Sequence, residues 1–396
     1  MKKRVIFIVV TALLCCLLVA CGSKTRLQAP QNIRQNGPFL IWDEVKNAEG
    51  YIVLADNEEY VTAEPSCNLS FLGGETVYVV KIKAVGDGEN FADSDWSEFG
   101  FNEIFKYTLL ADGSGYEVNL SVSSVELQDR KVVVPSTYEN LPVTRIAEEM
   151  FYKCASLTEV VLPNTLKEIG ANAFYNCKAL TSIELPESVT AIGPSAFMHC
   201  SSLKKIVVPT GIERIESNMF NDCTSLTEVV LPSMLKEIRG MAFFGCIALE
   251  NIELPASVTA IGSIAFGGCS SLKKIVVPTG VERIEGSTFV GCSNLTEVVL
   301  PSTLKEIMGM AFRKCEALKT VVLPSSLEDI GEKAFDNCPL ESVFFDGTEA
   351  EFLSVSVAEG NDSILNAAVY FYSETEPTEN PQKFWRYSEG KPLPWA

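Results

Sequence analysis

The chain has 396 residues, 51 acidic side chains against 32 Lys and Arg, and a formal net charge of −19. Loss of the three basic residues 2–4 would take that charge to −22 (−19 − 3). Because nucleic-acid binding depends on Lys and Arg that neutralise phosphates, and because anionic head groups repel so acidic a chain, we expect neither a nucleic-acid partner nor membrane contact through a basic patch.

Residues 1–20 have the organisation of a secretory signal. Basic residues at 2–4 precede an apolar run over 5–20 that is interrupted only by Thr11. A basic segment, an apolar segment and small residues before a cleavage site are typical of a signal peptide. The run is shorter than the ~20 residues that a membrane-spanning helix needs. We therefore expect the rest of the chain to lie outside the cytoplasm.

The sequence L-V-A-C at 18–21 resembles the lipobox of bacterial lipoproteins. This resemblance implies that Cys21 carries lipid, that residues 21–26 form a tether, and that the protein is anchored to a bacterial cell membrane, exposed at its surface. Ordinary signal cleavage beside a chance cysteine is the alternative. Gly22 stands where inner-membrane retention favours Asp, but the choice between inner and outer membrane stays open.

Residues 27–103 contain short apolar runs separated by Gly, Asn and Asp, which predicts a β-sandwich. The pieces W-D-E-V-K-N-A-E-G-Y and Y-V-V-K-I-K-A-V-G-D-G resemble a fibronectin type III domain. That resemblance implies core positions at Trp42, Tyr51, Leu69 and Tyr78. We favour a spacer role for this unit over a binding role. The acidic loop at 87–95 has calcium-ligand residue types without the EF-hand spacing, so we interpret it as a solvated loop.

From residue 150 the chain repeats every 23 residues. Cysteines recur at this spacing from Cys154 to Cys338, and phenylalanines from Phe151 to Phe335. A fixed period of 20–29 residues is typical of a leucine-rich-repeat solenoid. L-T-E-V-V-L-P recurs every 69 residues, from Leu157 onward, which indicates amplification of a three-repeat block.

The pattern A-F-x-x-C-x-x-L-x-x-[IV]-x-[LV]-P-x-x-[LV]-x-x-I-G resembles the BspA-type leucine-rich repeat. The resemblance implies a solenoid over 104–372 with atypical repeats at both ends, located at a bacterial surface. The predicted fold is mainly β: about nine 23-residue coils with a parallel sheet, preceded by the fibronectin-like unit and followed by a tail at 373–396.

Within one repeat, alternation along a strand points Val160 and Leu162 into the core and Glu159 and Val161 outward. The nine repeat cysteines occupy one position in successive coils. Parallel side chains in the core keep their Cβ atoms too far apart for disulfides, so we predict a ladder of buried thiols. No C-x-x-C occurs, and the one histidine lies on a single coil, so we expect no metal site and no cofactor.

Catalysis has little support in the sequence. Any Ser-His or Cys-His scheme must use His199, whose counterparts in other repeats are polar, small or charged residues, as in a solvent-facing loop. No G-x-S-x-G, H-E-x-x-H, Walker or Rossmann pattern is present. We therefore expect a binding protein and no enzyme.

The outward positions of the strands form two rows along the array. The first contains Lys205 beside Glu228 and Lys274 beside Glu297, which predicts ion pairs between coils. The second is the candidate binding row: Val161, Glu184, Val207, Val230, Glu253, Val276, Val299, Val322 and Phe344. An exposed apolar stripe is typical of an interaction surface. Alternatively, Val is there as a good strand former, or the termini cover the stripe.

The tail is rich in Glu, Thr and Pro and then in aromatic residues, which we expect to pack on the last coils. The predicted function is adhesion or protein recognition through the sheet face. The alternative is capture of a glycan or other nutrient for a neighbouring transporter or enzyme, with dependence on Phe384, Trp385, Tyr387 and Trp395. A purely structural role in the envelope is a third interpretation.

Overall fold

A computed structural model describes residues 24–36, 39–55, 58–69, 78–101, 105–121, 131–139 and 141–395. The predicted signal peptide and the lipidation residue Cys21 lie outside these residues. The chain divides into a first unit that ends at Phe101 and a second unit that follows it.

The first unit consists of short strands arranged mainly in two sheets. A three-stranded sheet joins 34–36, 39–41 and 66–68, and a four-stranded sheet has the order 58–62, 50–55, 78–85 and 97–101. Its strands are Thr25–Arg26, Arg34–Asn36, Phe39–Ile41, Gly50–Ala55, Glu58–Thr62, Ser66–Asn68, Tyr78–Val85, Phe91–Ala92 and Ser97–Phe101.

Three of the four expected core positions of this unit are buried. Trp42, Tyr51 and Leu69 are 3%, 2% and 0% exposed. Trp42 and Tyr51 meet edge to face at 5.2 Å between ring centroids, and the Tyr51 hydroxyl accepts a hydrogen bond from the Val45 amide at 2.8 Å. The side chain of Tyr78, the fourth position, lies outside the described side chains.

The second unit is a solenoid of stacked parallel coils with few helices, which confirms the predicted fold class. The core positions of the repeat are filled as expected: Leu157, Leu166, Ile169, Phe174 and Cys177 are all fully buried. One coil has too little interior to bury this apolar set by itself, and stacking on the neighbouring coils provides the core.

Most coils contribute one strand to each of two sides. We call the side formed by the L-T-E-V-V-L-P segments the front sheet. Its strands are Lys131–Val133, Glu159–Val161, Lys205–Val207, Glu228–Val230, Lys274–Val276, Glu297–Val299, Thr320–Pro324, Ser342–Asp346, Ala368–Tyr372, Phe384–Ser388 and Lys391–Pro394.

We call the opposite side the back sheet. It begins with strands Phe105–Leu109, Tyr116–Leu120, Thr137–Tyr138 and Leu141–Ile146, and continues with short strands that end mostly in isoleucine. These are Glu168–Ile169, Ala191–Ile192, Arg214–Ile215, Glu237–Ile238, Ala260–Ile261, Arg283–Ile284, Glu306–Ile307, Asp329–Ile330 and Ser356–Val357. Two helices, Glu349–Ser354 and Asp362–Asn366, and a 3-10 turn, Pro381–Lys383, lie near the carboxyl end.

The expected continuous parallel front sheet is interrupted with the 69-residue period. Ser182 and Asn251 pair with Lys205 and Lys274 only as isolated bridges, whereas the V-V-containing strands form ladders. The two weak coils carry Ser-Ile-Glu and Asn-Ile-Glu where the other repeat coils carry Glu-Val-Val, Lys-Ile-Val or Thr-Val-Val. Glu and Asn are poor strand formers compared with Val, which accounts for the shorter pairing.

A stack of nine phenylalanine rings runs through the core. Neighbouring centroids from Phe151 to Phe335 lie 5.1–5.7 Å apart, with planes within 18° of parallel. All nine rings are fully buried. The ladder fixes the register between coils, because a shift of one coil's corner would break contact on both sides of its ring.

Candidate binding surface

The front strands place alternate side chains on opposite sides of the sheet. Val160, Ile206 and Ile275 point into the core with at most 4% exposure, while Val161, Val207 and Val276 are 41–47% exposed. This is the period-2 geometry of a strand. It confirms the predicted inward and outward assignment of the repeat.

Most of the predicted row does face solvent. Five valines on it are 41–47% exposed, and Glu184 and Glu253 are exposed between them, while Val322 is half-buried. We define the valine row by the five exposed valines: Val161, Val207, Val230, Val276 and Val299. Paired strands bring Val207 beside Val230 and Val276 beside Val299.

Phe344, the last member of the predicted row, does not face solvent, and the prediction of its exposure was wrong. It is only 5% exposed. Its ring stacks on Tyr370 at 5.2 Å and meets Trp385 edge to face at 5.6 Å. The tail segment 384–388 pairs with the strand Ala368–Tyr372 and brings Trp385 over this end of the sheet. One of the sequence alternatives, coverage by a terminus, therefore holds for Phe344.

The tail extends the front sheet with a hairpin. Strand Phe384–Ser388 pairs in parallel with Ala368–Tyr372 and antiparallel with Lys391–Pro394. Trp385 is fully buried and donates its indole N–H to the Phe345 carbonyl at 2.9 Å. Phe384 packs half-buried against the core, and Trp395 stacks under the guanidinium of Arg386 at 4.0 Å. The expectation that tail aromatics pack on the last coils is confirmed for Phe384 and Trp385, whereas Tyr387 is 51% exposed.

The predicted ion pairs of the first outward row are formed. Lys205 and Glu228 lie 2.6 Å apart, and Lys274 and Glu297 lie 2.7 Å apart, measured between Nζ and the carboxylate oxygen. About half of each side chain is exposed. Exposed pairs of this kind contribute ~0–1 kcal/mol each. Their main effect is to give the face an alternating pattern of charge beside the valines.

The repeat cysteines form the predicted ladder. All nine are buried as free thiols. From Cys177 to Cys338, each Sγ–H donates to the carbonyl of the phenylalanine 26 residues earlier at 3.0–3.3 Å. Burial raises the pKa of the Cys200 and Cys292 thiols to about 12. Such thiols are poor nucleophiles at neutral pH, because the thiolate is the reactive form.

His199 lies in a solvent-facing turn. Its φ of 61° is left-handed, as are those of its counterparts Asn176 (60°) and Gly245 (69°). Nδ1 lies 3.4 Å from a carboxylate oxygen of Asp222, and the ring meets Tyr175 edge to face at 5.3 Å. The described residues bring no nucleophile into hydrogen-bond contact with the imidazole.

The acidic loop of the first unit is organised by one side chain. Oδ1 of Asp87 accepts hydrogen bonds from the amides of Asn90, Phe91 and Glu89 at 2.7–2.9 Å. These bonds, led by that from Phe91, lower the pKa of Asp87 to about 2. Within the described residues, no three His, Cys, Asp or Glu side chains are grouped so that they could hold a metal ion.

Among the residues that the structure describes, no helix has both the length and the apolar character needed to cross a bilayer.

Solved structures to which the chain is similar include a leucine-rich cell surface protein, a leucine-rich-repeat protein and a pneumococcal vaccine antigen. A leucine-rich cell surface protein of Faecalibacterium prausnitzii is 23% identical, with 65% of this chain and 97% of that chain covered and a TM-score of 0.38. The T. pallidum protein TpLRR is 28% identical over 60% of this chain and 87% of its own, with a TM-score of 0.35. The pneumococcal vaccine antigen PcpA is 20% identical, with 72% and 93% covered and a TM-score of 0.39.

No curated protein matches the chain. The family model for the BspA type leucine rich repeat region matches residues 135–250 and 236–355, with six copies. These ranges together cover more than half of the 396 residues. With the stacked coils, the phenylalanine ladder and the buried thiols in register, the chain belongs to the BspA-type leucine-rich repeat family.

Proposed function

We propose that this protein is a surface-anchored binding protein that recognises a protein partner through the front sheet of its solenoid, in adhesion or a related contact. Members of the family are typically cell-surface binding proteins without enzymatic activity. The observation that carries the proposal is the valine row, which keeps five apolar side chains 41–47% exposed on the front side of the stacked coils.

Four of the five valines of the valine row form two nearly identical patches. One combines Val207 and Val230 with the Lys205–Glu228 pair. The other repeats this arrangement 69 residues later, around Val276 and Val299. At ~4.8 Å per coil, three coils separate the two patches by about 14 Å. Apolar residues rimmed by charge are typical of protein interaction surfaces, and two patches on one rigid body favour bivalent engagement.

A charged residue in each patch should prevent a partner from packing against it. We expect Val207→Asp with Val276→Asp to weaken binding at least tenfold (~1.4 kcal/mol), since each carboxylate would lose water without gaining a partner. Either single substitution should weaken binding by less, because the other patch remains. The array should stay folded, because both side chains already face solvent and strand propensities differ by only ~1 kcal/mol.

The test uses the soluble fragment 26–396. A partner captured by cross-linking at the cell surface is identified, and its affinity is then measured by calorimetry for the parent and the variants. The matched control is Met234→Asp with Ile247→Asp, which adds the same charges at exposed apolar positions away from the front sheet. Equal affinity of parent and front-sheet variant, with both folded by circular dichroism, would refute the proposal.

The proposal includes a lipid on Cys21, which would hold the chain at a bacterial membrane through an anchor at residues 21–26. The support is the signal-like segment 1–20 and the lipobox-like sequence that follows it. The first unit would act as a fibronectin-like spacer between anchor and solenoid. Its three- and four-stranded sheets and buried Trp42 and Tyr51 support that role.

Capture of a glycan or nutrient is the second candidate function. One specific observation favours it: aromatic side chains remain exposed at the carboxyl end of the front sheet, beyond the valine row. Tyr372 and Tyr387 are 37% and 51% exposed there.

A further inference from the structure

Two tyrosine rings form an open platform where the tail hairpin joins the front sheet. Tyr372 and Tyr387 lie 6.1 Å apart between ring centroids, with their planes tilted by 50°. Trp385, itself fully buried, meets both rings edge to face, at 5.2 Å and 4.8 Å. We call Tyr372 and Tyr387 the aromatic platform.

The platform is rigid. The Trp385 indole that supports both rings is fixed by its hydrogen bond to the Phe345 carbonyl, and Tyr372 lies within a five-residue strand. The amide of Tyr372 also donates to the Gly347 carbonyl at 3.3 Å. A ligand that stacks here therefore orders few side chains, which lowers the entropic cost of binding.

The carboxylate of Asp346 lies beside the platform, and it has no partner among the residues that the structure describes. Asp346 ends the strand Ser342–Asp346, whose residues Phe344 and Phe345 pair with Tyr370 and Phe371. Among the described residues, none donates a hydrogen bond to its half-buried carboxylate or forms an ion pair with it. The register of the paired strands continues so that Asp346 stands beside Tyr372, and strand alternation puts both side chains on the same outward face as Phe344. Burial raises the pKa of Asp346, and the pKa of Tyr387 is raised first by its own burial and then by the nearby charge of Asp346.

The half-buried carboxylate of Asp346 favours a ligand that is rich in hydroxyl donors. A partly desolvated carboxylate without donors is costly, and a hydroxyl that donates to it forms a strong, charge-assisted hydrogen bond. The faces of the tyrosine rings carry partial negative charge and attract the polarised C–H groups of a sugar ring. Small-molecule sites usually combine an apolar surface with a small number of polar groups.

We propose that Tyr372, Tyr387 and Asp346 form a binding site for one neutral pyranose residue of a glycan, stacked on a tyrosine ring with a hydroxyl donated to the Asp346 carboxylate. Acidic sugars are disfavoured by that carboxylate. The site is separate from the valine row. The proposed sugar site extends the second candidate function, capture of a glycan. It does not depend on protein recognition by the valine row, so one proposal can fail while the other holds.

Binding of neutral hexaoses (maltohexaose, cellohexaose, mannohexaose and chitohexaose) to the fragment 26–396 tests the proposal by calorimetry and saturation-transfer NMR. We expect one of the four to bind. We further expect Tyr387→Ala and Asp346→Asn each to weaken that binding about tenfold, with Tyr387→Phe close to the parent because it keeps the ring.

Two controls locate the site. Tyr175→Ala removes a tyrosine ring from the turn side of the same solenoid, where it stacks on Tyr152 at 4.8 Å, and should not change sugar binding. The Val207→Asp, Val276→Asp variant should also bind the sugar normally. Circular dichroism of every variant excludes unfolding as the cause of a loss.

Three results would overturn the proposal. The first is no binding of any of the four hexaoses at several millimolar. The second is sugar binding that Tyr387→Ala and Asp346→Asn leave unchanged. The third is that tetramethylammonium displaces the sugar and has a lower Kd than the sugar. Two aromatic faces beside a carboxylate would then form a cation site.

Discussion

Alkaline pH should destabilise the solenoid through its buried thiols, and Cys200→Ala with Cys292→Ala should remove part of that effect. In the folded chain both thiols have a pKa of about 12, raised from 9.0 by burial. Each also donates a hydrogen bond to a carbonyl of the preceding coil, that of Phe174 or Phe266. A thiolate would lose this donor and remain buried next to a carbonyl oxygen.

The direction and size of the effect follow from proton linkage. Because the folded pKa is above the unfolded value, the contribution of each thiol to stability is complete below pH 9 and is lost as the pH rises toward 12. The loss is ~1.4 kcal/mol per pH unit and per thiol in that interval. Between pH 8 and pH 10, the two thiols together should therefore account for roughly 2–3 kcal/mol.

Urea unfolding followed by circular dichroism at pH 8, 9 and 10 measures this difference. The double variant starts less stable at pH 8, since it lacks two buried sulfurs, but its free energy of unfolding should fall less steeply with pH. Tyrosines and lysines titrate in both proteins and cancel in the comparison. Parallel pH profiles for parent and variant would show that the thiols are not linked to folding, and the reasoning would fail.

Three further outcomes are expected. Phe243→Ala should lower the free energy of unfolding by ~3–5 kcal/mol in the same urea assay, because it opens a cavity between two stacked rings, whereas Phe39→Ala at an exposed site should have little effect. Asn172→Ile should cost ~1–2 kcal/mol, because φ is +53° there, while Asn172→Gly should be neutral; equal melting of the two would contradict this. Cys21→Ala should move the protein from the membrane fraction to the soluble fraction on immunoblots; retention in the membrane would exclude the lipid anchor.

The repeat fold was predictable because every core position recurs in successive coils with the same or a similar residue. Phe174 and Cys177 each stand for a column of side chains that meet the same surroundings in successive coils. A substitution in one coil, such as Thr288 in place of the usual alanine before Phe289, does not obscure the pattern. The outward direction of Val161 or Val207 follows from the same alternation.

The end of the array was not predictable in the same way. Phe344 continues the outward row in sequence, yet its burial depends on Trp385, 41 residues later (385 − 344), after a proline-rich segment without periodicity. The same hairpin creates the aromatic platform, because it pairs Trp385 with Tyr372 and so brings Tyr387 beside Tyr372. Contacts that occur once, between segments of irregular sequence, leave no repeated signal.

The 69-residue block has a consequence for how such proteins change length. Ladders and bridges recur with this period, so the junction that follows one block has nearly the same residues as the junction that follows the next. Unequal recombination that adds or deletes a whole block would leave every ring of the phenylalanine stack with a neighbour of the same shape. Each event would lengthen or shorten the reach of the protein by about 14 Å and would add or remove one complete valine patch, without requiring any new core to be selected.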